Sequence, residues 1–249
     1  MNIIAIIPAR YQSSRFPGKP LEKLAEKYII QHVYEKAAET FERVWVATDD
    51  DRIAQVVKNF GGRVVITRAD HPSGTDRVAE AARLLAKEND FDVVVNVQGD
   101  EPFVCAQQLE SLTQCFSDSS TQIATLAKRV EDVETLFNPN RPKLVFNTQN
   151  FAMLFSRSTI PYVRGTDPEK WLENRSFYYH LGMYAYRADV LQKLTTLEPS
   201  SLELSESLEQ LRWLEAGYKI KVAETEHESI GIDTPEDLEK AQLFWNNTH

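Results

Sequence analysis

The sequence predicts an α/β protein in which helices flank a mostly parallel sheet and a smaller antiparallel lobe is inserted. Short apolar runs of strand length alternate with longer segments whose apolar residues recur at helical spacing. A run that is apolar throughout, such as residues 3–7, is typical of a parallel strand buried on both faces. The alternation falters near residue 138, where short strands follow one another. We therefore predict one domain over residues 1–249, with residues from about 138 to 200 as the inserted lobe.

The individual elements follow from the same patterns. Predicted strands cover residues 3–7, 43–48, 63–67, 92–97, 122–127, 144–147, 151–155, 181–186 and 219–223. Predicted helices cover residues 28–40, 52–59, a segment that opens within 70–77 and ends near Glu88, then 105–116, 131–137, 200–213 and 235–244. A capping box at Ser200 and Glu203 supports the start of the sixth helix. The tail from Asn246 to His249 is expected to be frayed.

Length and composition narrow the class of protein. A chain of 249 residues, 42% hydrophobic and 26% charged, is long enough to bury a substantial core. The formal net charge of −9 argues against a nucleic acid or an anionic membrane as a partner. Cys105 and Cys115 have no cysteine or histidine cluster at zinc spacing around them, so we expect neither a disulfide framework nor a structural metal site. The first apolar run is too short for a signal peptide or a membrane span, and a cytoplasmic location is expected.

The loop after the first strand is locally cationic in an acidic protein. Arg10, Arg15 and Lys19 repel one another unless an anion lies among them, and the hydroxyls of Ser13 and Ser14 add hydrogen-bond donors. Ligands of open α/β sheets bind beyond the carboxyl ends of the strands, which is where this loop begins. The loop lacks the spacing of a Walker A motif. We interpret it as a polyphosphate site; the alternative is a proline-stiffened surface loop with solvated charges.

Acidic residues follow two other predicted strands. Asp100 lies in the loop that follows the strand at 92–97, at the same sheet edge as the cationic loop, and Mg²⁺ prefers carboxylates together with phosphate oxygens. We therefore predict Asp100 as a metal ligand, with a plain turn as the alternative. The triplet at residues 49–51 resembles a D-x-D metal motif of glycosyltransferases. We favour the other interpretation, in which these acids begin the next helix and cap its free N–H groups.

Other polar residues allow two interpretations each. Ser73 and Gly74 form a turn at a helix N-terminus, which offers backbone donors to a base or phosphate or is simply a capped loop. His71 is predicted to be a loop histidine rather than a metal ligand. A histidine at a strand edge, such as His180, is usually structural, and Asp233 before a helix cap can merely aid the helix start. Aromatic residues dense around 177–186 fit either a core or an interface.

Four motifs together resemble a known family. The first loop resembles the N-terminal signature of sugar nucleotidyltransferases, and most closely that of 3-deoxy-manno-octulosonate cytidylyltransferases. The similarity continues, in order, through Asn-Val-Gln-Gly-Asp-Glu-Pro at 96–102, His-Leu-Gly at 180–182 and Gly-Ile-Asp-Thr-Pro-Glu-Asp-Leu at 231–238, and so covers nearly the whole chain. The resemblance implies a Rossmann-like fold of the nucleotide-diphospho-sugar transferase type, with CTP and a 3-deoxy-manno-octulosonate (KDO) sugar acid as substrates. It also implies a homodimer that acts in lipopolysaccharide biosynthesis.

The resemblance further implies a role for each candidate residue. The implied catalytic residues are Lys19, Arg15, Asp100 and Asp233, of which Asp100 and Asp233 would hold Mg²⁺. The implied nucleotide-binding residues are Ala9, Arg10, Ser13, Arg15, Lys19, Ser73, Gly74, Arg77, Gln98 and Asp100. The implied sugar-binding residues are Arg157, His180, Tyr184, Glu209 and Gln210. Arg157 is the first candidate for the sugar carboxylate because a buried carboxylate needs a cation. Without the resemblance, Glu209 and Gln210 would be interpreted as solvent-exposed.

Four alternative functions would each require different sequence features. A sialic-acid cytidylyltransferase has a similar first loop, but the motifs at 98–102 and 180–182 fit the octulosonate family better. A nucleotidyltransferase that uses UTP or GTP would be expected to have a more glycine-rich first loop. A glycosyltransferase would need the acids at 49–51, rather than Asp100, at its metal. A catalytically silent nucleotide-binding regulator would not need to retain Lys19, Asp100 and Asp233.

Overall fold

The structure is a computed structural model that describes residues 1–13, 15–87, 90–228 and 230–248. Three residues of the sequence analysis lie outside the described residues. They are Ser14 of the first loop, Glu88 at a predicted helix end, and His249 of the tail. The chain divides into two compact units. The first unit comprises Met1–Glu110, Arg187–Thr195 and Ser229–His249, and the second comprises Ser111–Tyr186 and Thr196–Glu228.

The described chain contains eleven strands and ten α-helices. The strands are β1 Ile3–Pro8, β2 Lys23–Leu24, β3 Lys27–Tyr28, β4 Val44–Thr48, β5 Val64–Ile66, β6 Val93–Asn96, β7 Ile123–Arg129, β8 Lys143–Phe146, β9 Ala152–Ser156, β10 Tyr178–Arg187 and β11 Ile220–Glu224. The α-helices are α1 Ile29–Thr40, α2 Asp51–Asn59, α3 Gly74–Leu85, α4 Ala106–Gln114, α5 Val133–Phe137, α6 Trp171–Asn174, α7 Ala188–Leu194, α8 Ser201–Glu206, α9 Glu209–Glu215 and α10 Pro235–Thr248.

The first unit is built on four parallel strands in the order β6-β1-β4-β5. In β1, residues 4–7 are fully buried, because strands in the middle of a parallel sheet are covered on both faces. The last residues of β1 pair with the last residues of its neighbours: Ile6 lies opposite Asn96 of β6, and Pro8 lies opposite Ala47 of β4. The loops after these three strands therefore leave from one edge. The predicted parallel sheet flanked by helices is confirmed.

The second unit is largely antiparallel. Strand β10 pairs with β7 and β8 in antiparallel orientation, β8 pairs with β9 as a hairpin, and β11 runs parallel to β7. A register shift interrupts β10 between Leu181 and Tyr184. The core of this unit includes the fully buried side chains of Phe155, Tyr186 and Trp213. Antiparallel pairing thus prevails in this unit, and the insertion lobe expected at about residues 138–200 stays a prediction.

Several elements differ from the sequence-based prediction, which did not include β2, β3, α6 and α7. The helix predicted over residues 200–213 is two helices, because Ser207 adopts a left-handed conformation (φ 51°) and ends α8. The predicted capping box at its start is present, with the hydroxyl of Ser200 accepting from the backbone N–H of Glu203. The tail predicted to fray continues α10 as far as Thr248. Among the described residues, no helix combines the length and the apolar character needed to cross a membrane.

Candidate active site

A pocket of about 300 Å³ opens at the edge where β1 and β6 end, and all of its lining residues belong to the first unit. It brings together all ten residues predicted to bind the nucleotide, namely Ala9, Arg10, Ser13, Arg15, Lys19, Ser73, Gly74, Arg77, Gln98 and Asp100. Asp233, which the resemblance assigns to the metal, lines the same pocket. Segments up to about 220 residues apart in sequence thus contribute to one concave surface, as is usual at the end of a parallel sheet.

Tight local geometry shapes the cationic loop. The backbone N–H of Gly18 donates to the carbonyl of Tyr11 at 2.8 Å, which closes the loop just before Lys19. Gly18 has a φ of 79°, a conformation that favours glycine, and a Cβ there would stand 3.2 Å from the Tyr11 ring. The guanidinium of Arg52 in α2 lies over the same ring, 3.4 Å from its centroid. The stacking of Arg52 on Tyr11 and the turn at Gly18 therefore fix the backbone position of Lys19.

Lys19 joins the two carboxylates predicted to bind metal. Its Nζ atom lies 2.7 Å from Oδ2 of Asp100 and 3.1 Å from Oδ1 of Asp233. Arg15 adds a second cation, with Nη2 3.1 Å from Oδ2 of Asp233. The Lys19 side chain is 11% exposed, whereas those of Asp100 and Asp233 are 32% and 47% exposed. The acids can therefore contact a ligand in the pocket while the buried ammonium keeps them together.

The backbone also holds the two acidic loops together. The backbone N–H of Ile232 donates to the carbonyl of Asp100 at 2.9 Å, so the loop after β6 is tied to the loop before α10. Gly99 allows the first of these loops to approach β1, because a Cβ there would stand 2.6 Å from the carbonyl oxygen of Pro8. Asp237 caps the start of α10 by accepting from the backbone N–H groups of Asp233 and Thr234. Asp233 thus projects from a fixed turn.

The opposite wall of the pocket is the start of α3. Ser73 caps this helix through a hydrogen bond from the backbone N–H of Asp76. Arg77, in the first turn, is 4% exposed, and its Nη1 donates to Thr67 Oγ1 at 2.7 Å and lies 2.8 Å from Asp49 Oδ1. Burial, with the nearby charge of Arg10, lowers the pKa of Arg77 although Asp49 opposes the shift. Asp49 therefore serves to hold a buried cation.

The acidic triplet at residues 49–51 does not form a metal motif. Asp50 is the N-cap of α2 and accepts from the backbone N–H groups of Arg52 and Ile53, as the helix-start interpretation predicts. Asp51 is exposed at the first position of the helix, and Asp49 is paired with Arg77. The glycosyltransferase alternative, which needs these acids at a metal, therefore loses its support.

His71 lies in this pocket although the sequence analysis did not include it in the site. It precedes the α3 cap by two residues, lines the pocket, and contacts Glu80 through Nε2. Its proximity to the Ser73 cap was the one sequence signal available, and that signal does not distinguish a loop histidine from a binding one.

The acidic side chains fit magnesium in number and kind. Among the described residues there is no group of three or more histidine, cysteine or acidic side chains that could enclose a metal by itself. Mg²⁺ is usually held by one or two carboxylates together with substrate phosphates rather than by an all-protein cage. Asp100 and Asp233, brought to a single ammonium and open to the pocket, match that donor set.

The five predicted sugar-binding residues all belong to the second unit. His180 Nε2 lies 2.9 Å from Thr125 Oγ1, and its ring contacts the rings of Phe155 and Tyr184. Burial lowers the pKa of His180 to about 3, so the ring is neutral at physiological pH. Tyr184 also contacts Trp213 of α9, with ring centroids 5.0 Å apart. This part of the candidate set is aromatic and uncharged.

The other three candidate sugar-binding residues are Gln210, Glu209 and Arg157, and each makes contacts or is buried in a way that the sequence did not indicate. Gln210 is 4% exposed, and within the described part of the chain its buried Nε2 has no hydrogen-bond partner, so the solvent-exposed interpretation is wrong for this residue. Glu209 is partly buried and pairs with Arg212 at 3.0 Å. Arg157 uses its guanidinium to donate to three carbonyls, those of Pro139, Glu206 and Ser207. The sugar-binding roles of all five residues remain predictions.

Comparisons with known proteins identify relatives that are named as cytidylyltransferases. A family model described as cytidylyltransferase matches residues 4–220. The chain is 56% identical to a 3-deoxy-manno-octulosonate cytidylyltransferase of Parabacteroides distasonis and 54% identical to one of Bacteroides thetaiotaomicron, with 99% of each chain covered in both cases. A solved structure of CMP:2-keto-3-deoxy-manno-octonic acid synthetase complexed with CTP is 42% identical, with a TM-score of 0.91 over 100% of both chains. The chain belongs to the 3-deoxy-manno-octulosonate cytidylyltransferase family.

Proposed function

We propose that this protein transfers CMP from CTP to a 3-deoxy-manno-octulosonate sugar acid and releases pyrophosphate. The observation that carries the proposal is the pocket in which the cationic loop after β1 meets Asp100 and Asp233 through Lys19. A triphosphate is the ligand that needs both features, since its charge attracts the cations and its metal ion needs the acids.

The reaction requires one bond to form and one to break at the α-phosphorus. The anomeric hydroxyl oxygen of the sugar attacks this phosphorus in line, the bond to pyrophosphate breaks, and the hydroxyl proton is lost to solvent. Lys19, Arg10 and Arg15 stabilise the charge that develops on the phosphate oxygens and on the leaving pyrophosphate. Lys19 is held by two ion pairs before substrate arrives, so little reorganisation of this cation is needed at the moment of reaction.

Asp100 and Asp233 are the residues that would hold Mg²⁺. When bound there, the ion lowers the pKa of the attacking hydroxyl and screens the phosphate oxygens. Lys19 lies between the two carboxylates and offsets their repulsion, which keeps both acids together at the pocket. The start of α3, with Ser73, Gly74 and Arg77, and the side chain of Gln98 complete the proposed nucleotide-binding surface.

The sugar acid is assigned to residues of the second unit. Arg157 is the proposed partner of the sugar carboxylate, and its three carbonyl contacts hold the guanidinium plane in a defined orientation. His180, Tyr184, Glu209 and Gln210 are proposed to contact the hydroxyls. The buried Nε2 of Gln210 supports this assignment, because a buried donor is costly until a ligand oxygen pairs with it.

Three further properties belong to the same proposal. The protein acts as a homodimer, it works in the cytoplasm, and its product supplies the synthesis of lipopolysaccharide. Sedimentation equilibrium tests the first of these directly: a mass of twice 28.5 kDa is expected, and a monomer at micromolar concentration contradicts it.

A pyrophosphate-release assay tests the function. Each of the four nucleoside triphosphates is offered with KDO, with a sialic acid and with a sugar phosphate, in the presence of Mg²⁺. Release is expected for the pair of CTP and KDO. Preference for a sialic acid, or for UTP or GTP with the sugar phosphate, would replace the proposal by one of its rivals, and no release with any pair would contradict an enzymatic role.

A further inference from the structure

His71 occupies a place in the pocket that its sequence context does not explain. It lies in the loop before α3, on the wall that also carries Ser73 and Arg77, and its side chain is 9% exposed. His32 offers a comparison within the same unit. Its Nε2 contacts the carbonyl of Leu24, and its ring packs on Trp245 within the hydrophobic core. His71 instead lines a polar pocket, where its ring is available to a ligand.

One nitrogen of His71 is already committed to Glu80. The contact joins Nε2 to Oε2 of Glu80, whose side chain is only 12% exposed. Burial alone would raise the pKa of Glu80, but hydrogen bonds from the Arg68 backbone and from His71 outweigh it, so the pKa is lowered and the carboxylate is ionised. An ionised carboxylate can only accept a hydrogen bond. Nε2 therefore carries the proton that faces Glu80, and Nδ1 is the ring nitrogen that this contact does not use.

Glu80 is itself held in place. Its Oε2 also accepts from the backbone N–H of Arg68 at 2.8 Å, and it belongs to α3, the helix whose N-terminus lines the pocket. The His71 ring is thus bonded at one end to a carboxylate that is anchored twice. Such an arrangement fixes both the orientation and the protonated nitrogen of a histidine.

We propose that His71 is a nucleotide-binding residue that contacts CTP through Nδ1, and that Glu80 is the positioning residue that holds its ring. The inference rests on the proposed function, since it adds one contact to the same nucleotide site. It makes a specific claim about substrates: the pair serves CTP and has no role toward the sugar acid.

Steady-state kinetics of three variants test the assignment. His71→Ala is expected to raise KM for CTP about tenfold, the effect of one lost hydrogen bond, with kcat and KM for the sugar acid within about twofold of wild type. Glu80→Gln is expected to raise KM for CTP about threefold, because the ring keeps a neutral partner. The double variant should be no worse than His71→Ala, since Glu80 acts through the ring.

Arg83→Gln is the matched control. Arg83 approaches the other oxygen of Glu80 at 3.8 Å from an exposed position, so this variant perturbs the same carboxylate without touching His71. Its kinetic constants should equal those of wild type. Equal increases in both KM values, or additive losses in the double variant, would assign His71 a merely structural role. An unchanged KM for CTP in His71→Ala would overturn the proposal outright, whereas the proposed function would stand because CTP is still turned over.

A measurement on the wild-type protein keeps the test independent of variant folding. The imidazole nitrogens of ¹⁵N-labelled protein are followed by NMR while CTP is added without sugar acid. The Nδ1 resonance of His71 should move on saturation, while that of His32, in the core, should not. An Nδ1 resonance of His71 that does not respond to saturating CTP contradicts the contact.

Discussion

The nucleotide pocket of the first unit and the candidate sugar residues of the second unit are held in opposite ways. In the first, Lys19 forms ion pairs with both Asp100 and Asp233, and the two acids remain a third to a half exposed. In the second, His180 and Tyr184 lie among aromatic rings, and burial keeps His180 neutral. Charged groups at loop ends can change partners when a ligand arrives, whereas neutral groups within a core also support the fold. Substitutions should therefore affect turnover most in the first region and stability more in the second.

Lys19→Ala should give the largest effect. Loss of a cation that stabilises the phosphoryl transfer raises the barrier by about 2.7–4 kcal/mol, which lowers kcat by a factor of about 10²–10³. The melting temperature should change little, because the carboxylates left behind are partly solvated. Lys27→Ala, which removes an exposed partner of Glu35, is the control and should keep full activity. Near-normal turnover in Lys19→Ala would contradict the charge-based account of this region.

Asp100→Asn should give the next largest effect. The amide keeps one oxygen but removes the charge that holds Mg²⁺, so kcat should fall about a hundredfold and more metal should be needed for half-maximal rate. Titration of the rate with MgCl₂ provides the measurement. Asp51→Asn, at the exposed start of α2, is the matched control. A variant with an unaltered metal requirement would remove Asp100 from the proposed metal site.

The pH dependence of the unfolding free energy tests whether His180 in the second region is neutral. Its pKa is lowered to about 3 in the folded protein, so the unfolded chain binds the extra proton below its ordinary pKa of about 6.5. Stability from this group is therefore complete above pH 6.5 and falls progressively toward pH 3. Between pH 7 and pH 5 the wild type should lose about 1–2 kcal/mol more unfolding free energy than His180→Asn. Denaturant titrations at both pH values measure this difference, and equal losses would mean that His180 is not buried in a neutral form.

Gly18→Ala should give the smallest effect, and it tests how the first region is shaped. Alanine at a φ of 79° costs about 1 kcal/mol of stability, and its Cβ would also press on the Tyr11 ring. Gly61 has a φ of 83° with nothing within 4 Å of a Cβ, so Gly61→Ala isolates the backbone cost. Gly18→Ala should lose at least as much stability as Gly61→Ala, and it alone should raise KM for CTP. An equal KM in the two variants would show that the loop does not depend on this contact.

Much of the nucleotide region could be predicted from local sequence. An apolar run followed by a cationic loop is enough to place Arg10, Arg15 and Lys19 beyond a buried strand, and the same reasoning places Asp100 at that edge. Asp233 was assigned through the family resemblance, because nothing in local spacing relates it to a residue 133 positions away. The ammonium of Lys19 between the two acids, and the approach of His71 to Glu80, depend on tertiary packing that periodicity does not describe.

The second region was harder to predict for a physical reason. Its polar residues stand at positions whose burial depends on other elements. Gln210 follows a helix break at Ser207, so its face could not be deduced from the pattern of a single long helix. Arg157 carries three carbonyl contacts to residues that are distant in sequence. Local patterns indicate strands and helices here, but the resemblance alone indicated a site.

Calorimetric binding of CTP, with and without Mg²⁺ and in the absence of sugar acid, tests the central claim most directly. The wild type should bind CTP more tightly when Mg²⁺ is present, and the double variant Asp100→Asn/Asp233→Asn should lose that difference while it still binds CTP through Arg10, Arg15 and Lys19. If the double variant shows the same gain from Mg²⁺ as the wild type, then the two carboxylates do not hold the metal and the account of this pocket is wrong.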